Sequence, residues 1–220
     1  MNRWLPGSGT SIARVRMIVT LMFVTMFVAS CGGPAWDDEG GDGSGHMANE
    51  PSTEQNVSAE LPEGWVDAEA KIEELGIDLR PIGSSPNTFV SAVQAGDMLY
   101  LSGRGPVMPD GGYMTGKLGS DLSVEEGYEA ARLTGIDLLA AIKAELGDLN
   151  RVKRIVKVLG VVNAEPEFQE HPSVINGFSD LMVDVFGDRG QHARSALGMG
   201  SLPFGIPVEI EMIVQVRTDE

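Results

Sequence analysis

Residues 193–216 read ARSALGMGSLPFGIPVEIEMIVQV, and the second half of this stretch is a strand with two unlike faces. Side chains alternate along a strand, so Val208, Ile210, Met212 and Val214 point one way and Glu209, Glu211, Ile213 and Gln215 the other. The first face belongs on a core. The second joins two carboxylates to an isoleucine, so it is not simply a wet face. Ser195 to Met199 reads as a further short strand, with the loop around Leu202 and Pro203 between the two. Arg194 stands fifteen positions ahead of Glu209 (209 − 194), and folding back at that loop is expected to set the cation beside the carboxylate at a small pocket.

Moving outward, Pro172 opens a helix with Val174, Phe178, Leu181 and Val185 on its inner stripe and Gly187 as its stop. Val152 to Val162 is β-branched and nearly all apolar, which predicts a strand covered on both faces. Ser123 with Glu126 forms a capping box. Tyr128, Ala131, Gly135, Leu138, Ile142 and Leu146 then recur at helical spacing up to Gly147. Phe89–Val93 and Met98–Gly103 read as strands joined at Gly96-Asp97, and Val66–Leu75 as a short helix. The order β-β-α-β-α-β-β predicts an α+β two-layer sandwich, a mixed sheet with two helices on one face. Residues 61–220 suffice for one domain with its own core.

The amino end reads differently. Arg3, Arg14 and Arg16 precede an uncharged apolar run, Met17 to Ala29, which is too short for an ordinary spanning helix and suits an export signal. Val28-Ala29-Ser30-Cys31 resembles a bacterial lipobox, so residues 1–30 are expected to be a lipoprotein signal peptide and Cys31 the lipidated new terminus. Cys31 is the only cysteine, which excludes an intrachain disulfide. Gly32, rather than Asp, after it favours an outer-membrane, periplasm-facing address in a diderm envelope. Residues 31–60 are rich in Gly and acidic residues with little to bury, and are expected to be a disordered tether.

Arg-Ser-Ala-x-Gly at 194–198, Leu-Pro at 202–203 and Val-Glu-Ile-Glu at 208–211 resemble the carboxy-terminal signature of the Rid (YjgF/YER057c/UK114) family. LYLSG at 99–103 and VINGF at 174–178 extend the resemblance over about Pro86 to Arg217. GRGPVMPDGG and GKLG suggest its chorismate-mutase-like, endoribonuclease L-PSP branch. The resemblance implies the chorismate-mutase-like fold and a homotrimer with ligand clefts between subunits. It implies further that Arg194 holds a substrate carboxylate by its bidentate fork and that Glu209 orients or activates the hydrolytic water. Ser102 and Gly103 match the strand end that lines the cleft, and Asn176 matches a cleft asparagine. Phe89 stands where deaminating members carry tyrosine, so a phenolic donor is lost there. Arg104 replaces an uncharged residue, offering either a second cation or a surface group, and Glu211 has no motif match.

His46, His171 and His192 show no ligand spacing, so neither a metal nor a cofactor is expected. A net charge of −16 and 6% aromatics leave little for RNA attraction or stacking, which disfavours ribonuclease activity. Two readings remain: a hydrolytic deaminase of small enamine or imine carboxylic acids, releasing ammonia and a 2-keto acid, or a non-catalytic trimeric binder of small carboxylates.

Overall fold

The computed structural model describes residues 61–82 and 88–218. The expected signal peptide, Cys31 and the expected tether lie outside the described residues. In chain order the regular elements are α1 (Ala68–Glu74), β1 (Ala92–Ala95), β2 (Met98–Arg104), α2 (Val124–Leu146), β3 (Val152–Asn163), α3 (His171–Phe186), β4 (Ala193–Met199) and β5 (Val208–Val216). The sheet order is β1-β2-β5-β3-β4, with β3 and β4 parallel and the other neighbours antiparallel. This is the expected α+β sandwich, a mixed sheet under α2 and α3.

Local signals set most boundaries. Both arms of the Ser123–Glu126 capping box form, and α2 ends at Gly147 in the left-handed conformation. Pro172 sits in the first turn of α3 and Gly187 follows its last residue. The two helices press closely because glycine stands between them: a β-carbon at Gly177 would collide with the Tyr128 carbonyl, and one at Gly135 with Leu181 and Phe178. Leu138, Ile142, Val174, Phe178 and Leu181 from the helices close over Ile155, Val158, Val208, Ile210 and Val214 from the sheet, all almost wholly buried.

Three expectations change. The first strand begins at Ala92, since the ladder with β2 runs only from Ala92–Leu101 to Ala95–Met98. Phe89 thus precedes the strand and is 59% exposed. β4 begins at Ala193, which brings Arg194 into the sheet. β3 is covered on one face only: Val152, Ile155, Val158 and Val162 are buried, Val156, Leu159 and Val161 half-buried, and Lys153 and Arg154 exposed. Both helices lie on one side, leaving an open face with Tyr100, Leu159, Leu197 and Ile213.

Candidate functional site

Strand parity decides which candidate side chains meet. Arg194 pairs with Val158, and Val158, with Gly160 and Val162, faces the helices. Glu209 pairs with Val161 on the open face. The expected neighbours therefore lie on opposite faces of the sheet, with β3 between their strands. The Leu202–Pro203 loop does reverse the chain, but β5 returns beside β2 and β3 and not beside β4.

Arg194 reaches α3. Its Nη1 donates to Asn176 Oδ1 (3.0 Å) and Ser179 Oγ (2.9 Å), and its Nη2 donates more weakly to the Pro172 carbonyl (3.4 Å). Asn176 and Ser179 are one helical turn apart on α3, so both meet one guanidinium. Behind Ser179 lies His192, its Nε2 3.1 Å from the Ser179 hydroxyl and its Nδ1 2.7 Å from the Gly190 carbonyl. A carbonyl only accepts, so Nδ1 carries the proton, and in the neutral ring Nε2 accepts from Ser179. Burial lowers the His192 pKa from its ordinary value, the Arg194 charge lowers it further, and the Gly190 bond opposes both. Among the described residues its hydrogen-bond partners are all neutral and no ion pair involves Arg194, in a chain with 32 acidic and 16 basic residues.

Glu209 belongs to a second cluster. With Phe89, Ser102, Gly103, Arg104 and Phe204 it lines a cleft of about 460 Å³ at the end of β2. Gly103 allows the approach, since a β-carbon there would collide with the Glu209 carboxylate. Burial raises the Glu209 pKa above its ordinary value, and neighbouring Glu211 adds to the rise. The Ser102 hydroxyl donates to the Val90 carbonyl at 2.7 Å, so its proton is already engaged.

Arg104 is no surface group. It pairs with Asp137 of α2 at 2.8 Å and donates to Ser91 Oγ at 2.8 Å, both members of the ion pair being mostly shielded. It closes the cleft's wall instead of offering a free cation. On the rim, Phe204 holds a left-handed backbone (φ 58°), is 80% exposed and stacks on Tyr113 with ring centres 5.8 Å apart.

Sequence reasoning passed over Ser179, His192, Asp137 and the Tyr113–Phe204 pair. Ser179 three residues after Asn176, and His192 two before Arg194, were the available signals, since those spacings put each pair on one face. Asp137 left none, because its partner is 33 residues away.

The model of a family described as YjgF/chorismate mutase-like, putative endoribonuclease matches residues 69–209. Protein TCP17 of Trypanosoma cruzi is 44% identical over 149 residues, 67% of this chain and 93% of that protein. The crystal structure of Atu1372 from Agrobacterium tumefaciens, a protein of unknown function, is 41% identical with a TM-score of 0.63, covering 68% of this chain and 94% of that one. That of a putative endoribonuclease from Shewanella oneidensis is 28% identical with a TM-score of 0.65, covering 69% of this chain and all of that one.

Proposed function

Because the chain belongs to the YjgF/chorismate-mutase-like family, we propose that it is a hydrolytic deaminase of small enamine or imine carboxylic acids, with sites completed between the subunits of a homotrimer. The observation that carries this reading is the division of the candidate residues into two incomplete clusters. One holds a half-buried arginine with no carboxylate partner among the described residues; the other holds a half-buried carboxylate that lines a cleft. A closed cyclic assembly sets one surface of each copy against a different surface of the next, and the proposed trimer is the one in which Arg194 and Asn176 of one protomer meet the Glu209 cleft of its neighbour. The uncovered apolar face of the sheet supplies material for that contact.

In this arrangement Arg194 holds the carboxylate of an imine acid such as 2-iminopropanoate, the tautomer of 2-aminoacrylate. Water attacks C2 of the N-protonated imine while Glu209 takes one of its protons, forming the neutral carbinolamine. Glu209 returns that proton to nitrogen, the carbon–nitrogen bond breaks as the hydroxyl proton passes to Glu209, and ammonia and pyruvate leave, with the proton on Glu209 released to solvent. A carboxylate whose pKa is raised by burial suits these transfers. Phe89 brings no hydroxyl to the cleft, which is the observation favouring the second reading, a trimeric carboxylate binder without turnover. Net charge −16 argues against RNA as substrate. We place the protein at the envelope through a lipid on Cys31, on the evidence of its leader sequence alone; loss of lipid labelling in Cys31→Ala is the expected result.

The test is ammonia release from enzymatically generated 2-aminoacrylate. Acceleration supports the hydrolase. Thermal protection by pyruvate without acceleration supports the binder, and neither effect removes both.

A further inference from the structure

We propose that Ser179 and His192 are positioning residues for Arg194, fixing its guanidinium for a ligand carboxylate through a hydrogen-bond chain that requires neutral His192. This inference rests on the reading of Arg194 as carboxylate anchor. Arg194 donates to Ser179, Ser179 donates to His192 Nε2, and His192 Nδ1 donates to the Gly190 carbonyl. Each link fixes the direction of the next. Gly190 dictates the tautomer, the tautomer dictates where the Ser179 proton points, and the Ser179 lone pairs are thereby left for Arg194. Asn176 holds the same Nη1, so one end of the guanidinium is tied to α3. Its Nε–H has no acceptor among the described residues, and Nη2 makes only the long 3.4 Å contact with the Pro172 carbonyl, so the Nε–Nη2 edge is the one a ligand carboxylate can meet. A planar fork tied at one end keeps that edge pre-set, which lowers the ordering cost of a two-point bond.

The groups facing His192 are few. Phe178 of α3 meets the ring edge-on at 5.9 Å, Ser179 lies beside Nε2, Gly190 closes the turn side, and Arg194 is the charged neighbour from β4. Among the described residues no carboxylate bonds or pairs with the ring to balance a second cation. Protonation would turn Nε2 into a donor, deprive Ser179 of its acceptor, and set two cations against the same hydroxyl. Carboxylate affinity should therefore fall as the pH drops through the His192 pKa, which lies below the ordinary imidazole value. Glu209 of the facing cluster also titrates on the acid side, and the variants are chosen to separate it.

The experiment measures pyruvate binding to the full chain at about pH 8 and about pH 5.5, a window in which the pyruvate carboxylate stays ionised. His192→Phe and Ser179→Ala should each weaken binding at pH 8 by about tenfold, the scale of one hydrogen bond to a charged group. His192→Gln, which still accepts from Ser179 but does not titrate, and Ser179→Thr, which keeps the hydroxyl, should bind within about twofold of the parent. The parent's acid loss should be absent from His192→Gln and present in Glu209→Gln. Pyruvate affinity that is unchanged in Ser179→Ala and His192→Phe, or that rises on acidification, would overturn the proposal. Arg194→Lys is measured alongside: if it too leaves affinity unchanged, the anchor reading fails; if it alone weakens binding, only the relay does.

Discussion

The two candidate clusters are built by opposite means. Around Arg194 the chain uses directed hydrogen bonds between side chains of α3 and β4, all from neutral partners, and leaves a cation unpaired. Around Glu209 it uses close approach and burial: Gly103 gives up a side chain so that a carboxylate can sit against the backbone, where losing water raises its pKa. The first arrangement fixes direction, as ligand recognition needs. The second tunes a proton affinity, as general-base chemistry needs. Two arginines sharpen the contrast, since Arg104 is consumed by Asp137 and Ser91 whereas Arg194 meets only neutral acceptors, the one at Nη2 being long.

That contrast orders the expected effects. Glu209→Gln should lower ammonia release by roughly 10²- to 10⁴-fold, the range for losing a general base, while leaving pyruvate binding near the parent's. A similar loss in both would merge the two roles. Arg104→Leu strands a mostly shielded Asp137, and should cost about 2–4 kcal/mol in chemical denaturation with little effect on the affinity of the protein that remains folded. Arg194→Lys should do the reverse. It keeps the charge and loses the fork, so calorimetry should show about 1.5–3 kcal/mol of lost pyruvate affinity, with a stability change of no more than about 1 kcal/mol.

The smallest effect concerns pH and stability. A carboxyl whose folded pKa is raised holds its proton more tightly folded than unfolded, so its contribution falls as pH rises through the window above the unfolded value of 4.5. Glu209→Gln lacks that slope. Its unfolding free energy should gain on the parent's between about pH 4 and pH 7, by under about 1 kcal/mol because the group is only half-buried. A widening gap in the opposite direction would mean that Glu209 has a stabilising partner.

Most of the fold was legible because its signals are local. Ser123, Glu126 and Gly147 bound α2, Pro172 and Gly187 bound α3, and the period-two pattern of β5 separates its faces without knowledge of a partner. Phe89 and Val90 misled because β-branched and aromatic residues favour a strand that exists only where a neighbour pairs with it, and β2 pairs no further than Ala92. The site was half legible. Motif spacing named Arg194, Asn176, Gly103 and Glu209, but the face on which Arg194 lies depends on where β4 starts and on its parallel register with β3, neither of which leaves a local mark. His192 looked inert among scattered histidines, because its meaning comes from Ser179 thirteen residues earlier.

The central claim is that one protomer's Arg194 serves its neighbour's Glu209. It is tested by unfolding Arg194→Ala and Glu209→Gln chains together, refolding the mixture, and measuring ammonia release from 2-aminoacrylate. Random assembly should restore about a quarter of the interfacial sites, since each needs its Arg194 from a Glu209→Gln chain and its Glu209 from an Arg194→Ala chain. Activity of the mixture should therefore rise to about a quarter of the parent's, while each variant refolded alone stays inactive. No recovery in a mixture shown by mass to contain mixed assemblies would contradict the shared site.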